Sequence, residues 1–359
     1  MKMKKILLIA ASAMMVFASC QKVDVIYENT NPQEIAMFAV NKNMTKAPVS
    51  GTAFDSEDVL RVTAYLAATG DGNNIGNYFT NIQFKGKTVN NKTIWTGGQY
   101  WPLSSATMNF SAVTEKGGKI LLGDGKVTST DYGVFTVILD NNKAETFNQT
   151  DLMYAVGRGT SNGDGKTPPA AVDMTFKHAL SWVNFAFKTN VENIVTINSV
   201  KLTTRYNGTL TVNPGDFNSA TENLNPTASW STLLAEEEVL GINVPNLDNT
   251  ASMGDLTVGK TKFDSYGNGL LVVPATTGSE TFFEISYSIL QSGVTKEYTY
   301  KHLLSGTTWE MGKKYTYNIN ITLHEIEVNP SVEKWDDTDE KDSENANDDV
   351  NWGAEVPLG

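Results

Sequence analysis

KKYTYNINITL, residues 313–323, alternates along its whole length: Tyr315, Tyr317, Ile319, Ile321 and Leu323 fall on one face, with polar residues between them. Successive side chains of a strand point to opposite faces, so this spacing predicts a half-buried antiparallel strand with one apolar and one wet face. Related stretches recur through the chain. VLRVTAYLA (59–67), TMNFSAV (107–113), GVFTVIL (133–139), SWVNFAF (181–187), LLVVPA (270–275) and TFFEISYSIL (281–290) are short and rich in β-branched or aromatic residues. TGDGNN, DNNK, NPGD and YGNG supply turn residues between many of them. Helical patterning is weak, and the best stretch, TLLAEEEVL (232–240), manages about two turns. Many short strands at this spacing predict an all-β fold of sandwiches or Greek-key barrels.

The N-terminus, MKMKKILLIAASAMMVFASCQK, carries a separate message. Lys2, Lys4 and Lys5 make a positive region, and the apolar run Ile6 to Phe17 is shorter than the ~20 residues that span a bilayer. The run therefore reads as a signal peptide. Cys20, the sole cysteine of the chain, sits where the apolar run ends, after Phe17-Ala18-Ser19. This stretch resembles a bacterial lipobox, in which a fatty-acyl lipid such as palmitate is attached to the cysteine and the peptide is cut before it. The other reading is an ordinary secretory signal that happens to contain a cysteine. Acyl chains hold a protein on a membrane without a spanning helix, so an exported, anchored protein is expected, with residues 1–19 removed.

Removing residues 1–19 takes away three lysines, so the formal charge moves from −12 to −12 − 3 = −15. So acidic a chain is a poor partner for nucleic acid, whose phosphates repel it. The remaining length exceeds what one core usually covers, which predicts two domains. Their join is expected around Asn190–Asn198. After it, SVKLTTRYNGTLTV should open the second unit with a hairpin centred on Asn207-Gly208. The last stretch, DDTDEKDSENANDDVNWGAEVPLG (336–359), is acidic and poor in apolar residues until its final part.

Signatures of chemistry fail on spacing. GTSNGDGKT (159–167) would need glycine at position 160, where threonine stands, and Pro168-Pro169 follow where a phosphate-binding helix must begin. His178, His302 and His324 lie in three unrelated local patterns, with no second cysteine and no hydrolase motif. SNGDGK (161–166) and DDTDEKDSEN (336–345) do not fit a calcium loop. No catalytic residue, metal ligand or cofactor is expected. WTGGQYWP (95–102) offers Trp95, Tyr100 and Trp101, which could stack on sugar rings or simply pack in a core.

Taken in order, several landmarks resemble the fimbrillin family of exported lipoprotein pilins. TKAPVSGTAF (45–54), VLRVTAYL, YFTNIQF (78–84) and QYWPLSSATMNFSAV (99–113) resemble the opening of a fimbrillin domain. DLMYAV (151–156) and TFKHALSWVNFAF (175–187) resemble the middle landmarks, and GKKYTYNINITLHEIEVNPSVEKW (312–335) the closing ones.

The resemblance implies two tandem transthyretin-like β-sandwich domains, over 47–190 and 191–335, after an N-terminal segment 20–46 and before the acidic tail 336–359. It implies a non-catalytic subunit of a cell-surface fimbria in a homo- or hetero-polymer that contributes to adhesion, as stalk, anchor or tip. The lipid on Cys20 would fix the precursor to the outer membrane, and host or bacterial surface receptors would be its outer partners. In the family a protease removes an N-terminal strand, and a C-terminal strand of the next subunit fills the groove. Carried onto this chain, the removable strand is Glu34, Ile35, Ala36, Met37, Phe38, Ala39 and Val40, with processing near Lys46, where the family's stalk subunits have arginine. Donor-strand candidates are Ile326, Val328, Val332 and Trp335, with Val350, Trp352 and Val356 as a second strand. The competing reading is that these residues finish their own domain. The alternative function is a surface lipoprotein that binds glycans through exposed aromatics.

Overall fold

Alternation governs the structure as it does the sequence. In Val172–His178 the side chains of Val172, Met174, Phe176 and His178 are buried while Asp173, Thr175 and Lys177 face solvent. The computed structural model describes residues 32–41, 54, 56–68, 74–89, 92–115, 128–129, 134–138, 152–163, 167–189, 194–205, 207–215, 217–218, 223–224, 227–231, 239–243, 262–263, 270–322 and 325–334. The described residues form twenty-two strands, β1 to β22 in chain order, and no helix.

Seven strands close on themselves. They are β1 (Glu34–Asn41), β2 (Val59–Ala67), β3 (Asn74–Val89), β4 (Lys92–Tyr100), β5 (Ala106–Glu115), β8 (Leu152–Ser161) and β9 (Val172–His178). The order round the barrel is β1-β4-β3-β2-β5-β8-β9. Its interior is filled by large rings and aliphatics, among them Phe84, Trp95, Trp101 and Phe110.

Two sheets face one another across a second core. One runs β17 (Lys262–Phe263), β10 (Ser181–Thr189), β21 (Lys313–Ile321), β22 (Ile326–Lys334), with β18 (Leu270–Val272) also on β10. The other runs β16 (Val239–Asn243), β11 (Ile194–Arg205), β19 (Phe282–Gln291), β20 (Val294–Leu303). Phe283 sits at the centre between them, 5.3 Å from Phe185 in edge contact and 5.5 Å from Tyr317. The indole of Trp309 donates to the Tyr317 hydroxyl at 3.1 Å, so this buried pair satisfies its polar atoms internally.

A third cluster joins the two cores. Val113 and Leu152 of the barrel share it with Leu180, Trp182, Leu210, Val212, Leu271 and Val273. Its sheet runs β15 (Thr227–Ser231), β12 (Asn207–Asn213), β7 (Val134–Ile138), β6 (Thr128–Ser129), and the short pair β13 (Phe217–Asn218) and β14 (Asn223–Leu224) stands apart.

The all-β expectation is what the structure shows, and the seven stretches quoted from the sequence lie in β2, β5, β7, β10, β18, β19 and β21. Three details differ. Strand β21 is buried on both faces from Tyr315 to Ile321. It lies between β10 and β22, and its alternate side chains find partners instead of water: Asn318 donates to the Asn329 carbonyl at 3.0 Å and Asn320 to Glu327 at 2.8 Å. Asn207-Gly208 is no turn, because both residues lie in β12 and pair with Ile138 and Val137 of β7. A Cβ on Gly208 would come within 2.9 Å of the Trp230 ring, so close packing rather than chain reversal requires glycine there. Val239 and Leu240, read as the end of a helix, belong to β16, and residues 232–238 lie outside the described residues. Across the expected join, β10 is hydrogen-bonded to β21 and β7 to β12.

The second core yields two testable consequences. Phe283→Ala removes a ring buried against two others and should lower unfolding free energy by about 3–5 kcal/mol, read from the urea midpoint. Burial pushes the Tyr317 hydroxyl up to about 12, from 10.0 in the unfolded chain. Between those values the folded state keeps a proton that the unfolded state has lost. The stability due to neutral Tyr317 is therefore intact below pH 10.0 and is lost as pH rises toward 12, a fall of about 2–3 kcal/mol. Tyr317→Phe should flatten this alkaline slope in urea melts taken at increasing pH.

Candidate functional site

The strand marked out in the sequence as removable, Glu34–Val40, is β1, and it closes the barrel. One edge pairs antiparallel with β4 through Ala36↔Thr96 and Met37↔Trp95. The other edge pairs parallel with β9, from Met37↔Val172 to Asn41↔Phe176. Ile35 and Met37 point inward and are fully buried, Ala39 packs partly against the same core, and Ala36 and Phe38 are half-buried on the opposite face. The alternation of EIAMFAV is thus the alternation of a seam strand.

Three further contacts hold the start of β1. The Trp101 N–H donates to the Gln33 carbonyl at 2.9 Å. The Gly98 N–H donates to Glu34 Oε1 at 3.1 Å, and Lys87 Nζ lies 3.8 Å from Glu34 Oε2. Both charged side chains are partly exposed, so this pair orients more than it stabilises. Sequence reasoning took Glu34 only as the end of a strand. Its clasp on Gly98 and Lys87 has no local signal, because those residues reach it through barrel closure. Just beyond the seam, the Phe54 ring lies 4.9 Å from Phe176 and meets Trp95 edge-on at 6.3 Å.

The other site residues are dispersed. Ile326 of β22 is buried in the sandwich core of its own chain, and Val328 packs partly against that core. Val332 is 56% exposed at the same strand's far end. Cys20, Lys46, Trp335, Val350, Trp352 and Val356 lie outside the described residues. Of the aromatics offered for sugar stacking, Trp95 and Trp101 are buried, and only Tyr100 is exposed. The Trp95 indole donates inward to the Asp58 carbonyl at 2.9 Å, so these rings make no shared surface platform.

The polar chemistry of the described residues is structural in character. His302 stacks on Phe283 at 5.0 Å and its Nδ1 lies 3.2 Å from the Tyr300 hydroxyl; burial lowers its pKa. His178 is buried at the end of β9, and His324 lies outside the described residues. Arg158 donates to Asn109 at 2.9 Å, and burial lowers its pKa. Among the described residues no three His, Cys, Asp or Glu side chains gather where they could hold a metal ion. The feature the described residues set apart is a single short strand, β1, held on both edges of the barrel.

A fimbrial protein from Bacteroides vulgatus is 13% identical, with a TM-score of 0.44, covering 84% of this chain and 99% of its own. A fimbrial assembly protein from Parabacteroides distasonis is 12% identical, with a TM-score of 0.36 and coverage of 85% and 100%. The tip fimbrial protein Mfa3 from Porphyromonas gingivalis, truncated at its C-terminus, is 12% identical, with a TM-score of 0.38 and coverage of 84% and 100%. A search of curated proteins finds no match. The sequence pattern described as Fimbrillin-like matches residues 45–335. Its members are fimbrial subunits of the cell surface with a structural, non-catalytic part to play. On that match, which takes in most of its length, the chain belongs to the fimbrillin-like family.

Proposed function

We propose that this chain is a lipid-anchored fimbrial subunit that joins its neighbours by strand exchange at the β1 seam. The observation that carries the reading is the position of β1. A short N-terminal strand closes the barrel, hydrogen-bonded on both edges and contributing the two buried side chains Ile35 and Met37. Its loss would leave β4 and β9 with unpaired N–H and C=O groups and a slot in the core. An extended segment of another subunit would satisfy both at once. Such a head-to-tail contact does not close on itself, so it propagates.

In this reading the acyl chain on Cys20 delivers the precursor to the outer membrane, and cutting near Lys46 frees β1. The donor comes from the C-terminal region, where Trp335, Val350, Trp352 and Val356 alternate with polar residues or lie beyond the acidic spacer. The burial of Ile326 in its own chain favours the later residues over β22 as the donor. We carry forward two tandem domains as part of the same proposal, with β12 and β7 as the sheet that bridges them. Lys46 in place of arginine makes the subunit's position in the fibre depend on whether a lysine-cutting protease acts.

Limited trypsin digestion of the unlipidated Cys20→Ser precursor tests the exchange. Cutting near Lys46 should yield ladders of oligomers or filaments by electron microscopy, with the β1 peptide lost on gel filtration. Persistent monomers that retain the cut peptide would count decisively against exchange. A Cys20→Ser chain that still partitions wholly with outer membranes would remove the lipid anchor. Met37→Ala should cost about 2–5 kcal/mol of stability and speed release of the cut strand, whereas Phe38→Ala on the other face should change release far less.

A further inference from the structure

The sandwich has an edge that nothing among the described residues covers. Strand β20, VTKEYTYKHL, pairs with β19 along its full length from Gln291↔Val294 to Phe282↔Leu303 and, among the described residues, with no other strand. The hairpin turns through Ser292 and Gly293, with φ of 52° and 79°, the left-handed pair of a two-residue turn. Gln291 and Val294 are thus the first hydrogen-bonded pair. Alternation along the ladder then aims the N–H and C=O of Val294, Lys296, Tyr298, Tyr300 and His302 at β19. Those of Thr295, Glu297, Thr299, Lys301 and Leu303 point outward from the edge.

We propose that this edge pairs antiparallel with β20 of a second copy about a two-fold axis at Thr299, joining two four-stranded sheets into one. Only registers that match outward-pointing residues with one another keep the hydrogen bonds. Among them, centring on Thr299 sets Glu297 opposite Lys301 of the second copy, twice by symmetry. Shifting the axis to Glu297 or Lys301 sets like charges face to face. Shifting it to Tyr298 or Tyr300 leaves Glu297 opposite Thr299 or Leu303.

The same register serves the other face. It sets Tyr298, 40% exposed, beside Tyr300 of the second copy, in the closer-spaced pairs where side chains meet. Tyr298 already stacks on Tyr287 at 5.2 Å, so the row of rings would continue across the axis. Thr295 would meet Leu303, which is 59% exposed in the single chain. Lys301 must give up its present position over the Phe282 ring, 3.5 Å from the centroid, to reach Glu297. Lys296 falls opposite His302. This contact uses a different sheet from the β1 seam and does not need β1 to be removed.

The test uses the unlipidated full chain, Cys20→Ser, with β1 uncut. Sedimentation equilibrium from micromolar to millimolar concentration should give a monomer–dimer equilibrium. Glu297→Lys and Lys301→Glu each create two like-charge pairs and should weaken dimerisation roughly tenfold or more. Mixed together, the two variants should form a heterodimer at least as tight as the parent, since every pair is again opposite in sign. Unchanged thermal melts of each variant alone confirm that it is folded. Thr299→Cys should cross-link under mild oxidation, because paired Cα atoms at about 5.5 Å suit a disulfide, and Thr295→Cys should not. A monomer across the whole range overturns the proposal, as do dimers indifferent to both charge reversals or equal cross-linking at 295 and 299. The first of these outcomes would make Lys296 and Lys301 guards against edge pairing.

Discussion

The two ladders of hydrogen bonds along β1 are the constraint on which the amino-terminal half depends. A parallel ladder needs its partner brought from far along the chain, and the barrel runs from β1 through β4, β3, β2, β5 and β8 before β9 meets β1 again. β1 is therefore the closing element of a nearly complete barrel. Ordering its eight residues costs on the order of 1–2 kcal/mol each. Burying Ile35 and Met37 returns about 1.5–3 kcal/mol each, and the backbone bonds about 0.5–1.5 kcal/mol apiece. These sums are of the same size. Under the exchange proposed above, a strand in that balance stays in place while it is tethered and yields to a better-matched one.

The rest of the molecule makes that balance possible by being independently held. The sandwich core packs rings around Phe283 and shares none of its buried residues with the barrel core. The two communicate through the third cluster, where Val113 and Leu152 meet Trp182 and Leu271 on the far side of the barrel wall from Ile35 and Met37. Residue order explains the arrangement. Val113 follows Ala112 in β5, so consecutive side chains of one strand serve two different cores. Disturbing the seam empties one face of the barrel wall and leaves the other face packed.

Much of this was legible because strand alternation is local. KKYTYNINITL and VLRVTAYLA each declare a strand and its apolar face without reference to the rest of the chain, whereas EIAMFAV, apolar throughout after Glu34, is marked out only by the family resemblance. What alternation cannot give is the partner. The polar face of β21 reads as solvent-exposed until β10 and β22 flank it, and then Asn318 and Asn320 are buried with partners on β22. Asn207-Gly208 has the composition of a tight turn, yet the lack of a Cβ serves equally well under the Trp230 ring, and only tertiary packing decides between them. The clasp of Glu34 on Gly98 and Lys87 was invisible for the same reason. WTGGQYWP illustrates the converse: an aromatic cluster has the same composition whether it faces sugar or core, and Trp95 and Trp101 face the core.

The two strand positions that matter most differ in how their edges are treated. β4 and β9 present edges that accept β1 along a short, mostly apolar strand, so in the proposed exchange shape and burial would select the occupant. β20 carries its selectivity on the outside, in Glu297 and Lys301 and in the aromatic row headed by Tyr287 and Tyr298. Charge on an edge strand rejects most partners, because a partner in the wrong register meets its own sign or nothing. The same charges favour the one register in which they are complementary. An all-β surface subunit must leave some edges open to polymerise and yet not aggregate through the others. A seam read by side-chain fit and an edge read by charge answer to different partners, so each can be engaged without exposing the other.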